Sequence, residues 1–387
     1  MRIRRCKVMY LEPREDARFD LQDLLSGGDG LRRTLSWVAL APHMRVEVNV
    51  DVEERELLGR LSPDRWIDSK EIPDAEREPL KRLLQKGLVV AAGRRHAENR
   101  ERDNALRSVH WHPLAATFHA FTRWSGTDAV QAMKDTGTET AQEMRSVLGV
   151  PPVEADTRGN SSSRLPLPRA EHEDFDVLLA RRTTCRNFDA DVPLPYTLFA
   201  QLMQRVFSAH GQVKVTEDTV FLKKTSPSGG GLHPIEAYLI VQNVEGVSPG
   251  LYHYHCVEHA LEPIGSSPEP LPAFALDAVA QQEWFANAHV MVLLVPRYDR
   301  SFWKYRRHAK GYRAIVLEAG HLSQTLYLSA TEAGLGAYVT AAINESTLEN
   351  AFGLQSASQG VLAICGFGWR AKEMATMELD PCCKVWG

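Results

Sequence analysis

Arg182, Thr184 and Arg186 alternate in the stretch "LLARRTTCRNFDADVPLP", so in an extended segment all three side chains face one way. Two guanidiniums and a hydroxyl converging on one spot suit a phosphate, because the guanidinium fork matches the charge and bidentate geometry of its oxygens. A solvated basic turn would read the same. Further along comes "SPSGGGLHP", residues 226–234, directly before the strand-like "IEAYLIVQNV". Glycine costs conformational entropy wherever it is fixed, so three in a row imply positive φ or something lying on the main chain: a flat ligand, or a plain loop. "HYHCVEH", residues 253–259, tempts a metal reading. On a strand, however, His253 and His255 share a face with Val257 while Tyr254 and Cys256 point the other way, so no three-ligand set forms and no metal is expected.

The elements that must position these residues are bounded by composition. A chain of 387 residues is long for one core, which makes two domains the default. Forty-five basic against forty-nine acidic residues give a net charge of −4, which argues against a general nucleic-acid binder. The opening "MRIRRCKV" is basic but leads into "MYLEPRED" rather than an apolar signal core, and no run of 18 apolar residues occurs, so a cytoplasmic protein without membrane attachment is expected. The six cysteines are scattered and never spaced C-x-x-C, which indicates neither a zinc site nor a disulfide framework. Cys382 and Cys383 are adjacent, and a redox use of that pair stays open.

Within residues 52–90 a helix follows Pro73, with Leu80, Leu83 and Leu84 on one face, Lys81, Arg82 and Lys86 in the last turns, and Gly87 as the stop before a short "LVV" strand. The pattern fits a winged-helix-like module and equally any small α+β domain. "WHPLAATFHAFTRW", residues 111–124, is aromatic and histidine-rich, and a helical pattern runs from Asp128 to Leu148. Residues 151–174 are rich in Pro, Ser and charge and read as a linker between an N-terminal region, 1–150, and a second domain, 175–387. Beyond it a helix follows Pro193 and stops at Gly211, "EAYLIVQNV" and "GLYHYHCVEHALEPI" read as strands, and "AHVMVLLVPRY" reads as a strand buried on both faces. A helix spans 310–333, "GAYVTAAI" is a strand, Ser346 and Glu349 form a capping box, and "GVLAICGFGW" is a last buried strand. The expected class is α+β, with a mixed, mostly antiparallel sheet flanked by helices.

"RTTCRNF" with "PLP", then "SPSGGGLHPIEAYLIVQNVEGVSPGLYHY", then "EAGHLSQTLYLSATEAGLG" resemble, in this order, the nitroreductase-like flavoproteins, and among them the SagB-type peptide-modifying dehydrogenases. The resemblance covers about residues 170–370. It implies FMN, with Arg182, Thr184 and Arg186 holding its phosphate and Pro227, Ser228, Gly229, Gly230, Gly231 and Leu232 lying along its ring. It further implies Gln324 facing the cofactor, Ala341 and Ala342 approaching the flavin, and Arg370 reaching the phosphate. Thr184 stands where serine is commoner and Lys224 where an arginine often precedes P-S-G-G; both keep the donor chemistry. In "RSFWKYRRHAKGYR" the pair Lys304-Tyr305 matches the Lys-Tyr pair of azoline-oxidising members, which implies a catalytic base. An amine with a pKa near ~10.4 in water must be lowered by burial or charge to accept a proton, and Arg306 and Arg307 are the candidate charges.

The resulting expectation is an FMN-dependent oxidoreductase that matures a ribosomally made peptide, oxidising azolines to azoles or dehydrogenating a modified residue. A homodimer is expected, since such domains build flavin pockets across a two-fold interface. The partners would be a precursor peptide and other proteins of a modification complex, with the N-terminal region recognising one of them. The alternatives are an NAD(P)H-dependent reductase of nitro, quinone or dehydroamino acid substrates, and a non-catalytic assembly subunit. Lys304-Tyr305 and the long N-terminal region speak against the first alternative, and the intact arginines and glycines against the second.

Overall fold

The computed structural model describes residues 1–159 and 164–386. Residues 160–163 of the expected linker therefore lie outside the described residues. The chain divides into two units that do not follow sequence order. One comprises Met1–Arg123, Arg297–Ala314 and Gln355–Gly360; the other comprises Trp124–Pro296, Ile315–Leu354 and Val361–Gly387.

The first unit contains two small antiparallel sheets. Arg2–Arg5 runs between Ile67–Asp68 and Val89–Ala91, and Leu31–Leu40 runs between Tyr10–Phe19 and Glu47–Val50. Helix Val52–Arg60 starts at an Asp51/Glu54 capping box, and helix Arg77–Gln85 ends where Gly87 turns left-handed at φ 74°. Leu57, Leu58, Leu80, Leu83 and Leu88 close the core between helices and strands. Glu54 is buried in this unit, and Arg82 at 3.2 Å and Lys86 at 2.6 Å pair with it. The aromatic segment 111–124 forms helix Pro113–Phe121, with Pro113 at its first turn. Trp111 stacks on His119 with centroids 5.2 Å apart and meets Tyr298 at 4.5 Å and Phe302 at 4.9 Å. The returning segment 297–314 thus joins the N-terminal region through an aromatic core.

The second unit is built on one six-stranded antiparallel sheet, in the order Ala260–Gly265, Gly250–His255, Ile235–Val241, Val290–Pro296, Ala363–Gly368, Gly336–Thr340. Val290–Pro296 is buried along its whole length, as a central strand covered on both faces must be. Phe274, Tyr338, Ile343, Leu348 and Ile364 belong to the core beside it.

Four local expectations change. The helix expected over 128–148 is two helices, Ala129–Thr136 and Ala141–Leu148, because Gly137 takes a left-handed C-terminal turn at φ 61° and Thr140 opens a new capping box with Glu143. "GLYHYHCVEHALEPI" is a hairpin rather than one strand, turning where His259 has φ 49°. Ser346 does not cap helix Glu345–Phe352: Asn344 is the N-cap residue, and the Glu349 carboxylate accepts from the Val361 N–H at 3.3 Å instead. The helix after Pro193 spans Tyr196–Phe207 and ends at Ser208, with Gly211 opening the next strand.

Residues 124–148 fall in the second unit. The Trp124 N–H donates to Glu345 at 2.8 Å, the Thr127 N–H to Asn344 Oδ1 at 2.8 Å and the Ala129 N–H to the Ala280 carbonyl at 3.0 Å. The division therefore falls after Arg123, ahead of the boundary expected at 150.

Candidate functional site

Helix Asp174–Arg181 ends at Arg182, whose φ and ψ of −67° and 113° turn the chain into an extended run. Along that run Thr183, Cys185 and Asn187 are buried while Arg182, Thr184 and Arg186 are partly exposed. The period of two turns all three side chains away from the buried side, and the Arg186 guanidinium reaches the Met377 carbonyl at 3.4 Å and lies 6.0 Å from the Phe285 ring centroid. The run is pinned beside strand Gly336–Thr340, where the Cys185 N–H donates to the Ala337 carbonyl at 2.8 Å. Burial pushes the Cys185 thiol up to about 12, which makes it packing rather than a nucleophile.

The outward face is organised by Tyr327, a residue that sequence reasoning passed over although it lies one turn beyond Gln324. Its hydroxyl accepts from the Val339 N–H at 3.1 Å and sits 3.0 Å from Thr184 Oγ1. With the phenol donating in that second contact, the Thr184 proton is left to point at an anion. The Arg182 guanidinium lies over the same ring, 5.4 Å from its centroid. Among the described residues no carboxylate pairs with the side chains of Arg182 or Arg186. Two cations and a hydroxyl on one face are the donor set that a phosphate monoester takes.

The glycine segment answers to a similar logic. Gly229–Gly231 forms a single tight turn in which Gly230 and Gly231 have φ of 68° and 69°, the left-handed region that favours glycine. A Cβ built on Gly231 would meet nothing within 4 Å. Backbone conformation demands glycine there, and the space beside it is open. Behind the turn, Ser228 Oγ donates to the buried carboxylate of Glu318 and accepts from the His233 N–H at 2.9 Å. Ser226 bonds Thr325 at 2.9 Å, and His321 Nδ1 lies 3.3 Å from the Pro227 carbonyl. Burial raises the Glu318 carboxyl above the usual range, with the Ser228 hydroxyl and the charge of Lys224 pulling it back. Helix Gly311–Glu332 thus carries Glu318, His321 and Thr325 to the segment, and exposed Gln324 stands one turn from His321.

Ala341 and Ala342 follow strand Gly336–Thr340 directly; Ala341 is exposed, and the Ala342 carbonyl accepts from Gln282 at 2.8 Å. Arg370 is committed to Glu378 in a buried ion pair. Lys304 and Tyr305 belong to the first unit, at the end of helix Tyr298–Lys304, with the ammonium 5.5 Å from the Tyr305 ring centroid. Lys304 is exposed, and Arg306 and Arg307 are exposed beside it. Arg307 takes φ 50° and its N–H donates to the His110 carbonyl at 2.9 Å. His253 is bracketed by Glu262 at 2.6 Å and Glu236 at 3.2 Å, and among the described residues no group of three or more His, Cys, Asp or Glu side chains is placed to hold a metal.

The residues present fit FMN. A phosphate-type donor face and an open, side-chain-free turn both belong to the second unit, each braced by Gly311–Glu332 from Glu318 to Tyr327.

Comparison with known proteins bears on the same stretch. The Nitroreductase family profile matches residues 179–369. The protein MJ1384 of Methanocaldococcus jannaschii, named for a nitroreductase, is 33% identical over 172 residues, 44% of this chain and 80% of that protein. The trifolitoxin-processing protein TfxB of Rhizobium leguminosarum bv. trifolii is 30% identical over 131 residues, 33% of this chain and 35% of TfxB. The microcin B17-processing protein McbC of Escherichia coli is 28% identical over 151 residues, 38% of this chain and 54% of McbC. The matched stretches thus span about half of McbC and a third of TfxB. With four-fifths of MJ1384 covered at that identity, and the profile running from the helix before Arg182 to the residue before Arg370, this chain belongs to the nitroreductase family.

Proposed function

We propose that the chain is an FMN-dependent dehydrogenase that matures a ribosomally made peptide, oxidising azolines to azoles or dehydrogenating a modified residue. The observation that carries FMN is the alternation along 182–187, which turns Arg182, Thr184 and Arg186 outward together and leaves both guanidiniums without a carboxylate. Similarity to two peptide-processing proteins carries the substrate class.

When bound, FMN supplies the two-electron acceptor that such an oxidation requires. The chain's own residues bind and orient it. Arg182, Thr184 and Arg186 hold the phosphate, the main chain from Pro227 to Leu232 lies along the ring, and Gln324, Ala341 and Ala342 border it. The proton lost from the substrate's Cα goes to Lys304 or Tyr305. The first unit recognises the peptide or a partner protein of a modification complex, and the functional species is a cytoplasmic homodimer with two equivalent sites.

Anaerobic mixing of the purified, flavin-loaded protein with the precursor peptide encoded beside its gene tests this reading. The peptide should bleach the oxidised flavin, and NAD(P)H should not. Lys304→Ala and Tyr305→Phe should each slow that bleaching by roughly 10²–10⁴-fold, as loss of a general base does, with flavin content unchanged. Rapid bleaching by NAD(P)H with none by peptide would make the protein a small-molecule reductase. Wild-type rates in both variants would remove the pair from catalysis.

A further inference from the structure

The inward face of the phosphate segment is occupied by the C-terminal tail. Asn187 Oδ1 accepts from the N–H groups of Ala375 at 2.8 Å and Thr376 at 2.7 Å, its Nδ2 donates to the Thr376 carbonyl at 2.7 Å, and Thr183 Oγ1 donates to the Leu379 carbonyl at 3.0 Å. One charged side chain sits at the centre of this contact. Glu378 is 3% exposed, and its Oε1 accepts from the N–H of Arg186 at 2.6 Å, the N–H of Asn187 at 3.1 Å and Asn187 Nδ2 at 2.8 Å. Its Oε2 accepts from Trp386 Nε1 at 2.9 Å and from Arg370 Nη1. Burial alone would raise this carboxyl, yet the five donors hold it below the usual range, so the buried group is a carboxylate.

Strand Gly336–Thr340 satisfies the Cys185 N–H of the run, and the N–H groups of Arg186 and Asn187 must find partners elsewhere. Glu378 supplies them at Arg186 and Asn187. A carboxylate bound to two successive N–H groups fixes the peptide planes on either side of Arg186, and with them the direction in which the Arg186 side chain leaves the backbone. Its charge is met by Arg370, so it takes none from Arg182 or Arg186. The Arg370 guanidinium is itself held against the Trp386 ring, 5.4 Å from the centroid.

We propose that Glu378 is a positioning residue for the flavin phosphate: bound to the Arg186 and Asn187 N–H groups and neutralised by Arg370, it aims Arg186 beside Arg182 and leaves both cations for the anion. The proposal rests on the FMN reading above and reassigns Arg370 from the phosphate to the support behind it. It makes the tail, residues 371–386, half of the cofactor site.

The test separates the phosphate from the ring by comparing dissociation constants for FMN and for riboflavin, which lacks the phosphate, by fluorescence titration of the apoprotein. In Glu378→Gln the amide cannot accept at both positions with a full charge. The FMN-over-riboflavin preference should fall by tenfold or more while riboflavin affinity stays within twofold of wild type. Trp386→Phe removes one donor to Glu378 and keeps a ring under Arg370; a smaller fall in the same direction is expected, and it carries the test if Glu378→Gln fails to fold. Parallel weakening of both ligands would make Glu378 merely structural, and an unchanged or increased preference would show that it does not aim Arg186 or that it competes with phosphate. Either outcome overturns the proposal. A wild type that binds riboflavin but shows no preference for FMN overturns the phosphate assignment itself, before any variant is compared.

Discussion

Replacing Gly231 by alanine separates a glycine kept for its backbone from one kept for a ligand. The position has φ of 69° and open space within 4 Å of a built Cβ, so no protein atom opposes the methyl. The folded apoprotein should lose only the left-handed backbone penalty of about 1–2 kcal/mol. Gly353 supplies the matched control: φ is 66°, nothing lies within 4 Å of its built Cβ, and it merely ends helix Glu345–Phe352. Gly353→Ala should show the same loss in urea unfolding. The two variants should part on FMN. If the ring lies against the main chain, a methyl at Gly231 lifts it and forfeits about ten close contacts of ~0.1–0.2 kcal/mol each, together ~1–2 kcal/mol, or roughly tenfold in dissociation constant. Fluorescence titration of both apoproteins with FMN reads this directly. Wild-type affinity in Gly231→Ala, or an equal weakening in Gly353→Ala, would refute the ring contact and return "SPSGGG" to an ordinary turn.

Two further predictions concern the scaffold. His119 is neutral in the folded chain, where burial and the neighbouring Arg123 lower its pKa to about 3, whereas it titrates near 6.5 when unfolded. The unfolded state therefore binds the extra proton, stability falls as pH drops through the window from 6.5 toward 3, and the loss is roughly 1.4 kcal/mol by pH 5.5. Between pH 7.5 and 5.5 the melting temperature of wild type should drop about 2–4 °C further than that of His119→Phe. His253, whose pKa Glu236 and Glu262 raise, titrates in both proteins and cancels, so parallel curves would show that His119 is not held neutral. At Gly366 a Cβ would overlap the Tyr338 ring, which is itself stacked on Phe285 with centroids 4.1 Å apart. Gly366→Ala should cost about 1–3 kcal/mol in urea unfolding, and an unchanged midpoint would mean that the ring moves aside freely.

What the sequence disclosed and what it withheld follow one rule: local periodicity is readable and long-range pairing is not. The outward face of Arg182, Thr184 and Arg186 was legible because alternation by two is a property of the segment alone. The glycine turn was legible for the same reason, as were the buried strand Val290–Pro296 and the helix ending at Gly334. Tyr327 and Glu378 were not. They meet the phosphate segment from 143 and 192 residues away, and nothing in "TLYLSA" or "MELDP" distinguishes a bonded side chain from a solvated one. The units were withheld too, since segments 297–314 and 355–360 return to the N-terminal region across long stretches of the other unit. Lys304 and Tyr305 lie on the first of these, which no linker signal marks. The hairpin hidden in residues 250–265 turns at His259, a left-handed residue that is not glycine and so carries no turn signal.

The two segments proposed to face the flavin share a design that accounts for their irregular backbone. Each leaves its outer side open and has its inner side satisfied by a buried carboxylate from a distant element: Glu318 through Ser228 for the glycine turn, Glu378 through two N–H groups for the proposed phosphate run. A buried carboxylate is costly unless it is bonded and its charge is met. At Glu318 burial keeps the carboxyl above the usual range, with the Ser228 hydroxyl and the charge of buried Lys224 drawing it back only in part, whereas Arg370 pairs directly with Glu378. Glu378 is thus matched by its own cation, and neither carboxylate pairs with the side chain of Arg182 or Arg186. Two positive charges facing a phosphate monoester, whose charge near neutrality is close to two negative, would leave the proposed site near neutral when loaded. Glu378 can therefore bind main chain without weakening the attraction for the anion, because its cation Arg370 lies with it on the inner side.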